Sequence, residues 1–417
     1  MKQMKIKGGM PLTGTIKISG AKNSAVALIP ASLLSDGKVT IDNIPNISDI
    51  DALNEILNYL GAEVTRDDET IVIETANIIN REIPEELSKK LRASYYFMGA
   101  LLGKYKKVRM YFPGGCSIGK RPINLHLKGF EALGATINEE GNFYTIEATE
   151  LKGSNIYLDV ASVGATINIM LAAVKAKGKT IIENAAKEPE IVNVATFLNN
   201  MGAKITGAGT GKITIVGVET LNSCFAEVIP DRIEAGTYII LGALMGKELK
   251  IDNIIPNHIE SLLMKLKEMK VPIQINQDNI IVSTSDKLQS VNIKTVGYPG
   301  FPTDLQQPFT TLLTQVNGRS IVHETIYENR FQNVSYLNEM GAQIEINGDK
   351  LIIDGPTKLI GKKVKATDLR AGACLILAGL IANGTTIVTD IEHILRGYEN
   401  IVVKLKQIGA KIEIEEI

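Results

Sequence analysis

One element recurs six times along the chain and constrains its fold more than any other feature. It reads LNYLGAEV (57–64), FEALGATI (130–137), FLNNMGAKI (197–205), LKEMKVPI (266–273), LNEMGAQI (337–344) and LKQIGAKI (405–412). Each copy has the form of an amphipathic helix end, a glycine that stops the helix, and a strand. The fourth copy carries Lys270 where the others have glycine. A second element keeps the same beat: GKVTIDNI (37–44), GKYKKVRMYF (103–112), GKTIIENA (178–185), GKELKIDNI (246–254), GRSIVHET (318–325) and NGTTIVTDI (383–391). These read as turns into alternating strands. Before each lies a nearly wholly apolar run, such as SAVALIPASLL, SYYFMGALL or CLILAGLIA, which predicts a helix buried on all sides. The unit is therefore strand, buried helix, strand, surface helix, strand, strand, repeated at roughly 70 residues.

The closing strand of the unit appears as TIVIET, FYTIEA, KITIVGV, NIIVST and KLIIDG, with no sixth copy before Ile417. The N-terminal segments KQMKIKGG (2–9) and GTIKIS (14–19) supply a candidate, so the first twenty or so residues are expected to complete the last repeat. Six units group most simply as three and three. That grouping predicts one domain at 22–229 and another built from 1–21 and 230–417. Repeat count alone places this boundary, since no Pro/Gly/Ser linker marks it.

Composition narrows the function classes. With 45 Lys+Arg against 46 Asp+Glu the formal net charge is −1, which argues against a general nucleic-acid binder. Absence of Trp and only 5% aromatics argue against a base-stacking platform. Three cysteines cannot build a disulfide framework and fit a reducing compartment. The longest apolar stretches fall short of the roughly 18 residues that a spanning helix needs, and no export segment is evident. A cytoplasmic protein without membrane contact is expected.

Only ten of the 45 basic residues are arginine, and six of them fall between a strand and the following helix. Arg92, Arg232 and Arg370 precede buried helices, with Lys22 equivalent in the first repeat; Arg121, Arg330 and Arg396 follow the second strand of their repeats. Backbone N–H groups at a helix start favour anions, and arginine adds a fork that fits carboxylate or phosphate. Loops from two domains converging on a cleft would then bind a substrate with several negative charges. The plainer alternative is structural ion pairing with Asp231, Asp368 and Glu328.

FPGGCSIGKRPINLH (112–126) is a glycine-rich loop with Cys116 beside Lys120 and Arg121. Neighbouring cations favour thiolate, so Cys116 suits a nucleophile or a low-pKa acid. Cys374 lies in an apolar helix and is expected in the core, and Cys224 has no evident chemical partner. Asp304 in YPGFPTDL stands where other repeats carry a cation. It is either a helix cap or a general base for a hydroxyl. Asp49, Glu188 and Glu190 occupy loops of the same class, with capping or domain closure as their default roles. No metal-ligand spacing or dinucleotide motif is present, so no cofactor and no metal are expected.

Together SGAKNSA (19–25), LRAS (91–94), the Cys116 loop, ENAAKEPEIV, PDRIEAGT, FPTD, ENRF, TDLRA and RGYE resemble the UDP-N-acetylglucosamine 1-carboxyvinyltransferase family of enolpyruvyl transferases, essentially end to end. The resemblance implies the α/β, two-domain enolpyruvyl-transferase fold: six βαβαββ repeats, an inside-out α/β barrel, with the active site in the interdomain cleft. It implies transfer of the enolpyruvyl group of phosphoenolpyruvate to the 3′-hydroxyl of UDP-N-acetylglucosamine with release of phosphate, the first committed step of peptidoglycan synthesis. By the family pattern Cys116 is the general acid and the expected target of the epoxide fosfomycin, and Asp304 is the base. Lys22, Arg121 and Arg396, with Arg370 nearby, would hold the phosphate and carboxylate of phosphoenolpyruvate, and Asn23 the sugar side. Arg92, the run Arg121, Pro122, Ile123, Asn124 and Leu125, with Asp304 and Ile326, would line the nucleotide-sugar site. Ser162, Val163 and Gly164 match a loop that grips the uridine diphosphate, and Arg232 and Arg330 would organise the cleft. Two positions depart from the pattern. Asn124 stands where the family often has Asp, and Val160 where it often has Lys, which is expected to weaken nucleotide binding or shift it to other donors.

Overall fold

The computed structural model describes residues 2–112 and 122–416, so Cys116 and Arg121 lie outside the described residues. The described residues divide into two compact units, one formed by 2–19 with 230–416 and one by 20–112 with 122–229. In each, the repeat is visible three times, the second copy of the chain having only an isolated bridge, Ile83 to Met110, in place of its opening strand.

In the unit of residues 20–229 the first sheet runs Cys224–Glu227, Val39–Asp42, Thr70–Glu74, Glu63–Asp67. The second runs Lys107–Tyr111, Phe143–Glu147, Thr136–Glu140, and the third Asn155–Tyr157, Lys179–Glu183, Lys212–Val216, Lys204–Thr206. In the four-stranded sheets the first pair is parallel and the rest antiparallel. The helices Lys22–Ala31, Tyr96–Tyr105 and Val163–Ala173 pack on one another inside these sheets. Their runs are buried on every side, as in Ser24–Ala31, because an all-round apolar helix has no face to give to water. Small residues permit the close approach. A Cβ on Gly99 would sit 2.3 Å from the Asn168 carbonyl oxygen of the neighbouring helix.

The other unit repeats the plan. Its sheets are Thr15–Lys17, Leu249–Asp252, Asn279–Val282, Ile273–Ile275; Ile293–Lys294, Gly318–His323, Lys350–Gly355, Gln343–Asn347; and Lys363–Lys365, Thr385–Thr389, Lys2–Lys7, Lys411–Glu416. The helices Arg232–Met245, Thr303–Leu313 and Leu369–Ile381 pack together in its interior. Cys374 is fully buried there and accepts from Asn333 Nδ2 at 3.2 Å; burial pushes its thiol up to about 12.

The N-terminus differs in part from expectation. Lys2–Lys7 does complete the sixth repeat, with Met4 opposite Val388 on one side and Ile414 on the other. Thr15–Lys17 instead opens the fourth repeat, parallel to Leu249–Asp252 with Ile16 opposite Ile251. Cys224–Glu227, which precedes the fourth repeat in the chain, opens the first, with Ala226 opposite Ile41. A three-residue alternating segment fits any open strand edge, so its own sequence does not choose between them.

The helix-stopping position behaves alike in all six copies. Gly61, Gly134, Gly202, Gly341 and Gly409 have φ between 95° and 108°, and Lys270 takes φ 63° without being glycine.

Candidate active site

Among the described residues the predicted groups fall in both units, and some of them meet in each. In the unit containing the C-terminus, Asp304 lies in the first turn of Thr303–Leu313, whose N-cap Pro302 makes no side-chain cap. Its carboxylate therefore caps nothing. Oδ1 accepts from Arg330 Nη2 at 2.7 Å and Oδ2 from Arg370 Nη2 at 3.2 Å. Arg330 is 2% and Arg370 4% exposed, whereas the Asp304 side chain keeps 29% of its surface. Burial pushes the Asp304 carboxyl up, but the charges of Arg370 and Arg330 outweigh it and hold it well below the usual carboxylate range. For Arg370 burial again opposes the charge, and Tyr398, Asp304 and Asp231 together keep it protonated. Its guanidinium stacks 5.3 Å from the Tyr398 ring.

Two of the carboxylates considered as arginine partners also cap helices. Asp231 caps Arg232–Met245 through the N–H groups of Ile233 and Glu234 at 2.8 and 2.9 Å. Asp368 caps Leu369–Ile381 through Arg370 and Ala371 at 2.8 and 3.0 Å. The basic residues at these helices stand inside the first turn rather than before it. Arg232 stacks 5.4 Å from Tyr298. Arg396 is half-buried after the short helix Glu392–Leu395, and Ile326 is 41% exposed.

In the other unit Lys22 opens its helix and pairs with Asp49 at 2.7 Å, both side chains mostly buried. Asp49 thus acts neither as a cap nor as a free carboxylate. The Lys22 helix has no side-chain cap, unlike those capped by Asp231 and Asp368. Asn23 follows, half-buried. Glu188 holds the N-cap position of Pro189–Asn200 without a side-chain cap bond, and Glu190 is buried. Arg92 opens a 3-10 turn, 5.7 Å from the Phe112 ring.

Ser162 Oγ caps Val163–Ala173 through Ala165 N–H at 3.3 Å, so the segment Ser162–Gly164 is a helix start. Pro122 and Asn124 are exposed, Ile123 is buried and Leu125 half-buried. These two segments meet at His126, to which sequence reasoning gave no role. A Cβ on Gly164 would lie 3.0 Å from His126 Cε1 and 2.8 Å from Tyr95 Oη. Asn168 Nδ2 donates to the Tyr95 carbonyl at 2.8 Å and to His126 Nδ1 at 2.9 Å, and its Oδ1 accepts from Gly99 N–H at 2.8 Å. The amide orientation follows from that N–H, which leaves the imidazole proton on Nε2. Burial, reinforced by the Arg92 charge, pushes His126 down to about 3, so it is neutral at working pH. Asn168→Leu should remove three hydrogen bonds, two of them on buried groups, and cost about 2–4 kcal/mol, read from urea unfolding. A loss under 1 kcal/mol would mean the network carries little.

The signature of the EPSP synthase (3-phosphoshikimate 1-carboxyvinyltransferase) family matches residues 6–415. The chain is 57% identical over 99% of its length to UDP-N-acetylglucosamine 1-carboxyvinyltransferase 2 of Geobacillus kaustophilus, covering 96% of that protein. The chain belongs to the UDP-N-acetylglucosamine 1-carboxyvinyltransferase family.

The protein of the same name from Listeria innocua is 55% identical over 98% of this chain and 96% of its own. Among solved structures, the enolpyruvyl transferase NikO from Streptomyces tendae superimposes with TM-score 0.90 at 26% identity, covering 99% of this chain and 98% of that one. EPSP synthase from Acinetobacter baumannii, at 18% identity and TM-score 0.76 over the full length of both chains, shares the fold. The expected α/β enolpyruvyl-transferase fold in two units is thus the observed one. Of the two departures from the family pattern, Val160 is 66% exposed and Asn124 exposed at the start of its helix. Among the described residues no group of His, Cys, Asp and Glu could hold a metal, and no helix is long and apolar enough to cross a membrane.

Proposed function

We propose that this enzyme transfers the enolpyruvyl group of phosphoenolpyruvate to the 3′-hydroxyl of UDP-N-acetylglucosamine and releases phosphate, the first committed step of peptidoglycan synthesis. The observation that carries this reading is 57% identity across 99% of the chain to a protein named for that reaction. The site agrees with it. A proton added to the methylene of phosphoenolpyruvate makes C2 electrophilic, the sugar oxygen attacks C2, and the tetrahedral adduct then loses phosphate and a methyl proton. Each stage carries several negative charges on a small substrate, which fixed cations stabilise.

Cys116 delivers the proton to the methylene. Lys22, Arg121 and Arg396 hold the phosphate and carboxylate of phosphoenolpyruvate, with Arg370 beside them, and Asn23 contacts the sugar side. Arg92, Arg121, Pro122, Ile123, Asn124, Leu125, Ser162, Val163, Gly164 and Ile326 receive the nucleotide sugar. A carboxylate held as low as Asp304 is a weak base at rest, but it is always ionised and always ready to accept a hydrogen bond. It orients the 3′-hydroxyl and takes the proton as the C–O bond forms and the hydroxyl becomes acidic. Both substrates belong to the cytoplasm, where we place the enzyme.

Phosphate release on mixing the two substrates tests the proposal. Release with shikimate 3-phosphate in place of the nucleotide sugar, and none with UDP-N-acetylglucosamine, would reassign the acceptor. Binding of the nucleotide sugar without release would make the chain a sensor.

A further inference from the structure

In four repeats the side chain of the residue after the second strand bonds to the residue that follows the first strand. In three repeats it is asparagine: Asn43, Asn184 and Asn253 take left-handed φ of 55°, 54° and 59°. Their Nδ2 atoms donate to the carbonyls of Val228, Leu158 and Ile18 at 2.7, 2.8 and 2.8 Å. In the sixth repeat the same place holds Asp390, also left-handed at 56°. The fifth repeat departs: its junction residue is Glu324, outside the left-handed region, and it accepts where the asparagines donate.

Glu324 is 3% exposed. Its Oε1 accepts from Thr295 Oγ1 at 2.8 Å and from the N–H groups of Ile326 and Tyr327 at 2.8 and 3.3 Å. Its Oε2 accepts from Thr303 Oγ1 at 2.9 Å. Thr303 adjoins Asp304, and the Tyr327 ring lies 5.4 Å from the guanidinium of Arg330, which pairs with Asp304. Thr303, Asp304, Arg330, Tyr327 and Glu324 therefore form a closed ring of contacts. Three other repeats secure this junction with a neutral amide, so fold alone does not require a carboxylate here.

We infer that Glu324 is a positioning residue for the acceptor side of the reaction, locking the helix turn that bears Asp304 and the backbone at Ile326 into one register. This rests on the function proposed above, in which Asp304 and Ile326 meet the nucleotide sugar. A carboxylate accepts at both oxygens, whereas an amide must turn a donor toward Thr303 or toward the Ile326 and Tyr327 N–H groups.

The test uses the full chain with Glu324→Gln, Thr303→Val and Thr303→Ser, following phosphate release while each substrate is varied separately. Misplacement of a reacting group by about 1 Å can cost on the order of 100-fold. Glu324→Gln should therefore lower kcat and raise KM for UDP-N-acetylglucosamine, each by about 10-fold or more, with KM for phosphoenolpyruvate within about twofold. Thr303→Val removes a single hydroxyl contact and keeps the other three donors to Glu324, so it should fold like the parent and lose about 10-fold in kcat. Thr303→Ser should restore it. Equal change in both KM values, failure of serine to rescue, or kinetics of both Glu324→Gln and Thr303→Val within about twofold of the parent would each overturn the inference. A parent chain that releases no phosphate from this substrate pair overturns the proposed function and this inference with it; an active parent with unaffected variants overturns only the inference.

Discussion

Asp304→Asn should reduce turnover by about 10²–10⁴-fold, the range for losing a positioned acid–base group, and should also destabilise the free enzyme. The second effect follows from the guanidiniums of Arg330 and Arg370, which are almost fully buried and share this one carboxylate. An amide brings no charge, so two like charges remain in low dielectric at a cost of about 3 kcal/mol. The sign of the pH dependence follows from the depressed carboxyl. A group whose folded-state pKa lies below its unfolded value contributes stability that is complete above the ordinary carboxylate range and is lost as pH falls through it. The gap in urea-unfolding free energy between parent and Asp304→Asn should be flat from about pH 9 to pH 5 and narrow below about pH 4. A gap that changes between pH 6 and 8, or a variant as stable as the parent, would show that the two arginines do not depend on Asp304. Because Asp304 stays ionised throughout that window, any acidic limb in the rate profile should belong to another group.

Cys116→Ala should lower turnover near neutral pH by about 10²–10⁴-fold with affinity for the nucleotide sugar largely unchanged. Cys116→Asp separates two roles that a thiol can combine. A carboxyl also donates a proton, so an active Asp variant identifies the residue as an acid, while a folded but inactive one points to a covalent bond with the pyruvyl group. Fosfomycin should add its mass at Cys116 in the parent and nowhere in Cys116→Asp. The other two cysteines provide the internal control, since burial pushes Cys374 up to about 12 and Cys224 to about 11, leaving almost no thiolate on either. Alkylation at either one, with Cys116 untouched, would sink the assignment.

Much of the candidate site was legible because chemistry-bearing residues interrupt a repeat. Lys22, Arg232, Arg370 and Asp304 were found by comparing the same place in successive copies, and all four occupy the first turn of a buried helix. What that comparison missed is who touches whom. Position alone suggests a cap or a general base for Asp304, but it accepts from arginines 26 and 66 residues away. Lys22 is paired with Asp49, an acid whose position along the chain suggests capping or domain closure. Glu324 could have been noticed as the one Glu where three other repeats have Asn, yet its four donors come from three separate segments. His126 stood in plain view inside the cysteine segment and drew no role, because its partner Asn168 lies in an apolar helix that reads as core.

The sequence by itself determined the number of repeats, the kind and order of elements in each, and which helices are interior. Those features depend on periodicity, capping and apolar content, all of which are properties of neighbours along the chain. Only the tertiary structure decided which edge each short strand would join. Thr15–Lys17 and Cys224–Glu227 each pair with a repeat other than the one nearest in the chain. It also decided the charge of the site, since a carboxylate between two buried guanidiniums is held ionised by helices that meet only after the core has packed.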